Sequence, residues 1–164
     1  MYLIAITIGL CITYAGLTVW FPYFFNTGKV TVSPVKMSSL ILIIILSLLG
    51  YGIAFSIPDI ELSNRFLHAF GGGFMAFMTC FLSARDSHIA LDKIRFLFFS
   101  LLIITTLGVA SELIECFFQN LSHFIFAESI NDTWFDLASN LVGSFIGAIV
   151  LFPFLNFNRE HSSY

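Results

Sequence analysis

Leu40-Ile41-Leu42-Ile43-Ile44-Ile45-Leu46-Ser47-Leu48-Leu49 is ten residues with nothing more polar than one serine, set inside an apolar run from Ser38 to Ile57. No turn residue or charge breaks the run, and its length is that of a helix crossing a bilayer, about 20 residues. Four further runs of comparable length lie on either side of it. They give helices at about 2–25, 38–57, 66–83, 96–118 and 133–155. The chain therefore reads as an all-α polytopic membrane bundle of five transmembrane helices, a single transmembrane domain over 1–164.

Composition supports this reading. Of 164 residues, 58% are hydrophobic and 10% charged, with 21 phenylalanines, against about 25% charged in ordinary soluble domains. A soluble fold of this size could not hide so much apolar surface. The net charge is −3 and there is no basic block, which excludes nucleic acid as a partner. Cys11, Cys80 and Cys116 all fall inside apolar runs and read as packing residues rather than as a disulfide or zinc framework. The first run has no Lys or Arg ahead of it and no small-x-small end, so it reads as a retained helix. Trp20 and Trp134 read as interfacial anchors.

Orientation follows from the basic residues. With the N-terminus outside, the inner segments hold Lys29, Lys36, Arg85, Lys93, Arg95 and Arg159, and the outer segments hold Arg65 alone. The positive-inside rule then puts the C-terminus in the cytoplasm. Seven of the ten acidic residues (Asp59, Glu61, Glu112, Glu115, Glu128, Asp132 and Asp136) lie at or near the outer side. Acidic residues contribute little to topology, so their placement asks for another cause, and function is one.

Ionisable side chains within spans cost roughly 2.5–3.5 kcal/mol each on insertion scales and mark sites when they recur in order. Glu112, Glu115 and Gln119 share one face of run four. Asp132, Asp136 and Asn140 share one face of run five, with Gly143 and Gly147 continuing the stripe as a Gly-x-x-x-Gly packing surface. His68, with Arg65 three residues before it, stands just past the outer end of run three. The topology brings all these faces to one level, and the candidate cluster is Arg65, His68, Glu112, Glu115, Gln119, Asp132, Asp136 and Asn140. Such a set could hold a divalent cation or do general acid–base work, and Arg65 could hold a phosphate or carboxylate. Taken singly, Asp132 or Asn131 also reads as a helix cap, His68 as satisfied by a backbone carbonyl, Asn140 as an inter-helix hydrogen bond, and Arg65 as half of a structural ion pair. His88 and His161 lack ligand spacing, and His123 lies in a mixed segment, 119–131, with the composition of an interfacial or re-entrant stretch. Asp86 and Asp92 with Arg85, Lys93 and Arg95 read as a solvated loop. Gly71-Gly72-Gly73 lacks the strand and the lysine of a phosphate loop.

Three stretches also resemble VanZ-like membrane proteins, over about residues 40–155. Asn64-Arg65-Phe66-Leu67-His68-Ala69-Phe70 is similar to that family's His-containing helix start. Glu112-Leu113-Ile114-Glu115 with Gln119 is similar to its Glu-bearing helix end, and Asp136-Leu137-Ala138-Ser139-Asn140-Leu141-Val142-Gly143 with Gly147 to its last helix. Where that family often has Lys before the His, Phe after it and Glu-x-x-Gln, this chain has Arg65, Ala69 and Glu112-x-x-Glu115. A basic residue common before the final Asp is missing. The resemblance implies an envelope protein of the bacterial plasma (inner) membrane, the family being named for glycopeptide-resistance clusters and reduced teicoplanin susceptibility. Three functions compete: an accessory protein holding a lipid-linked or envelope ligand at the outer leaflet, a metal-dependent hydrolase or transferase acting on a lipid, and an ion or solute pathway. The ligand-holding protein leads, the lipid enzyme is its alternative, and five short helices with polar residues on one side only put the pathway last. Membrane lipids, such a ligand and a second copy of the chain are the partners expected.

Overall fold

In the computed structural model, residues 2–25, 35–89, 92–122 and 130–155 are described. Among them, five helices are long and apolar enough to span a bilayer, and none forms a strand. These are α1 (Tyr2–Phe25), α2 (Met37–Phe55), α3 (Ile60–Asp86), α4 (Lys93–Ser122) and α5 (Ile130–Leu151). A 3₁₀ turn, Phe152–Phe154, follows α5, with Pro153 inside it.

The bundle is built for hydrocarbon. Ile41, Ile44, Ile45, Leu48 and Leu49 of α2, and Phe145, Ile146 and Ile149 of α5, face outward. Small and hydroxylated residues turn inward on the same helices: Ser39, Ser47 and Gly50 on α2, Gly143, Ser144 and Gly147 on α5. This inverts the soluble pattern, because in lipid an outward Leu costs nothing while close helix contact needs small side chains. Tyr14, Ile43, Met75, Phe77 and Phe96 fill the centre.

α3 differs from its expected bounds. It was expected at 66–83, but Glu61, Asn64 and Arg65 already belong to the helix. Asp59 caps it, its carboxylate accepting the Leu62 N–H at 3.0 Å. The span then changes winding. Ile60–Leu67 is α-helical, His68–Met75 is π-helical, and Ala76–Asp86 is α-helical again. The wide segment is where α3 meets α5, the most intimate interface in the bundle. A Cβ on Gly143 would overlap the Ala69 carbonyl, and one on Gly73 would lie 2.7 Å from the Gly143 Cα. Two glycines thus let backbone meet backbone, as the Gly-x-x-x-Gly stripe on α5 led one to expect.

At the opposite end of α3 the sequence reading needs correction. Asp86 is not in a solvated loop. It is the last residue of α3, 1% exposed, because the helix runs three residues past its expected end at 83 and turns this carboxylate inward. It accepts from the Tyr14 hydroxyl at 2.8 Å, the Ser39 hydroxyl at 2.5 Å and the Arg85 Nε at 2.9 Å, and the Lys36 ammonium lies 3.3 Å away. The Ser83 hydroxyl donates to the Tyr14 carbonyl, and that of Ser87 to Thr18. One carboxylate therefore joins α1, α2 and α3. Arg85, Asp92 and Arg95 are exposed, as the loop reading had them.

Candidate functional site

The site is at the other end of the bundle. His68 follows the α3 cap by nine residues and opens the π-helical segment. It is 7% exposed, inside the span rather than just past its end, because α3 begins at Ile60 and not at 66. Its Nε2 lies 3.3 Å from Oδ2 of Asp136, which projects from the second turn of α5 and is 5% exposed. Glu112, in the last third of α4, completes the group at 8% exposed. One ligand-type atom from each of His68, Glu112 and Asp136 lies within 4.8 Å of the others. Three helices each supply one donor, and each donor comes from a helix face that the i, i+3, i+4 spacing had marked.

Around this group the other candidates sort themselves. Asn140, one turn beyond Asp136 and 6% exposed, stands beside His68. Its Oδ1 lies against Gly72 and has no hydrogen-bond partner. Glu115 and Asp132, both half-buried, face Glu112 and Asp136 closely enough to act on them electrostatically. Arg65 faces Asp136 from farther off. It pairs with Glu61 one turn back and lies over the Phe135 ring at 4.3 Å, so it closes the rim and does not enter the group. Gln119 is helical, but its side chain lies outside the described residues, as do His123, Glu128 and most of 119–131. His88 is exposed on a turn with φ 51° and approaches no part of the site.

Two contributors went unread in the sequence. The Asn64 amide donates to Asp136 at 3.2 Å, and the Thr133 hydroxyl reaches Glu112. Asn64 stands one helical turn before His68, so the i, i+4 rule applied to α3 would have found it. Buried carboxylates are normally satisfied by donors. Asp136 has Asn64, whereas Oε1 of Glu112 is buried without a partner. An acceptor oxygen left bare beside a histidine and a second carboxylate is the position at which a cation would sit.

The family described as "Predicted membrane protein (DUF2238)" matches residues 3–156. The chain is a DUF2238 protein. That description gives membrane residence and no reaction, in agreement with the five spans. No curated protein and no solved structure matches the chain.

Proposed function

We propose that this DUF2238 protein is a multi-pass protein of the bacterial plasma membrane that binds a divalent cation through His68, Glu112 and Asp136 and acts there on a polar group of a membrane lipid, as a hydrolase or transferase. The observation that carries the reading is the buried, three-helix donor group with its bare Glu112 oxygen. A nitrogen and carboxylate oxygens suit first-row divalent ions, held at about 2.0–2.2 Å from each donor. A bound cation with an open position would polarise a phosphoryl or carbonyl oxygen and acidify a water. The chain's own residues have separate tasks. Asn64 fixes the orientation of Asp136 by its hydrogen bond. Asn140 stands beside His68 at the edge of the group. Glu115 and Asp132, at the edge of the group, are placed to take a proton from a water or deliver one to a leaving group.

Within this reading the site end is extracellular, as the Lys and Arg distribution suggests, and the chemistry is at the outer leaflet. The VanZ-like motifs favour an envelope role and a link to antibiotic resistance. A second reading keeps the site and drops the metal: the same polar wall holds a lipid-linked envelope ligand without turnover. The unpartnered Asn140 carbonyl favours it, because that oxygen asks for a donor from a ligand.

Isothermal titration of the purified protein with Mg²⁺, Mn²⁺, Ca²⁺ and Zn²⁺ separates the two. The metal reading expects micromolar binding of at least one ion and its loss in Glu112→Gln. That variant is isosteric and relieves repulsion among Glu112, Glu115, Asp132 and Asp136, so in chelator its melting temperature holds or rises. A wild-type protein that binds none of the four ions removes the metal, and the ligand-holding reading takes its place.

A further inference from the structure

Beside the donor group, a cleft of about 180 Å³ opens between α1 and α4. Ile6 and Leu10 of α1 and Leu107 of α4 form its walls, and Gly71 and Gly72 of the π-helical segment form its floor. His68 and Asn140 stand at one end. α1 and α4 meet at the Phe25–Phe99 ring contact and form no broad interface, so the cleft between them has no helical roof. Every residue lining it lies within one of the candidate spans. Its mouth therefore meets hydrocarbon and not water.

The cleft is amphipathic. Ile6, Leu10, Ala76 and Leu107 give it apolar walls, Thr13 and Ser111 add a hydroxyl each, and His68 and Asn140 form its polar end. The stretch between Ile6, Leu10 and Leu107 offers none of the 2–4 polar partners that a stable buried water needs. A hydrocarbon chain satisfies those walls, and a polar linkage at the head of that chain meets His68 and Asn140.

We infer that the cleft between α1 and α4 is the slot for one hydrocarbon chain of a membrane amphiphile, entering sideways from the lipid, with the polar linkage of the molecule at Asn140 and His68. This rests on the reading of His68, Glu112 and Asp136 as the reactive end and gives the substrate class of that site: a lipid with a polar linkage next to its chain. The slot admits a substrate without removing it from the bilayer.

Gly9 supplies the test. It lines the cleft, and a Cβ there would meet nothing within 4 Å, so Gly9→Leu fills the slot without disturbing packing. Gly16, also on α1 and also open around its Cβ, does not line the cleft, and Gly16→Leu is the control. The protein is reconstituted in phosphatidylcholine vesicles containing a ceramide whose acyl chain bears a diazirine, irradiated and mapped by mass spectrometry. Labelling is expected on the peptides around Leu10 and Leu107, about tenfold lower in Gly9→Leu and unchanged in Gly16→Leu. Equal labelling of the two variants at those peptides overturns the slot. Metal titration of the same three proteins reads the other proposal separately. A slot that labels as expected in a protein that binds no ion would sink the metal and keep the chain site. Ion binding with equal labelling would do the reverse.

Discussion

Two buried carboxylates of this chain, Asp86 and Glu112, do opposite things. Asp86 is surrounded by donors, with two hydroxyls and a guanidinium on its oxygens and an ammonium at 3.3 Å. Glu112 keeps one oxygen bare. A carboxylate saturated by its own protein has little left for a ligand, so Asp86 reads as structural and Glu112 as reserved. Tyr14→Phe deletes one hydrogen bond to a charged acceptor and should cost about 1.5–3 kcal/mol, read as a lower midpoint in a thermal melt of the detergent-solubilised protein. Metal titration of the same variant should be unchanged. A Tyr14→Phe protein that melted with the wild type would show that Asp86 does not hold the bundle together. The sequence singled out Glu112 and misplaced Asp86 for one reason. Glu112 sits within an unbroken apolar run, where a charge is conspicuous. Asp86 sits among Arg85, Ser87 and His88, where hydropathy alone suggests water. Its partners Tyr14 and Ser39 belong to runs whose other members are apolar, and no spacing rule links positions so far apart.

Among the elements, α3 and α5 govern the site. The Ala69–Gly143 contact lies one residue from His68 and seven from Asp136, so the crossing sets how far apart the imidazole and the carboxylate stand. Gly143→Leu forces the Ala69 carbonyl away and should destabilise by about 1–3 kcal/mol or more, with metal binding lost along with it. Gly16→Ala, on a helix surface with open space, should gain up to about 1 kcal/mol from helix propensity. Thermal melts of the pair, with titration of each, test whether packing at this one crossing and not glycine content in general sustains the site. The Gly-x-x-x-Gly stripe was legible because it is a pattern of side-chain size. The π-helical winding of His68–Met75 was not, since three successive glycines suit a loose helix, a break or a loop equally well, and only the approach of α5 decides among them.

Over the whole molecule, five apolar runs became five spans, with helix ends moving by up to six residues where polar turns joined the helices. The assembly of His68, Glu112 and Asp136 from three helix faces was readable because alternating antiparallel spans must bring the end of the fourth and the starts of the third and fifth to one level. The lateral cleft was not readable, since it comes from the gap that α1 and α4 leave on the site side of their Phe25–Phe99 contact, which no single helix encodes. Sidedness is tested by single cysteines at Glu61 and Asp92, both exposed, in a background with Cys11, Cys80 and Cys116 replaced. A membrane-impermeant maleimide added to intact cells should label position 61 and leave position 92 unmodified. Labelling of 92 with protection of 61 would reverse the orientation and move the site to the cytoplasmic leaflet.

The donor group has a chronology. His68, Glu112 and Asp136 belong to the third, fourth and fifth spans, so a ribosome delivers them in that order and the group is incomplete until the last helix has been released. During that interval His68 waits without Asp136, and Glu112 is already committed to the bilayer. α5, docking by its glycine stripe along α3, is both the final piece of the fold and the one that closes the site. A nascent chain stopped short of Asn131 would carry four inserted helices and no site at all.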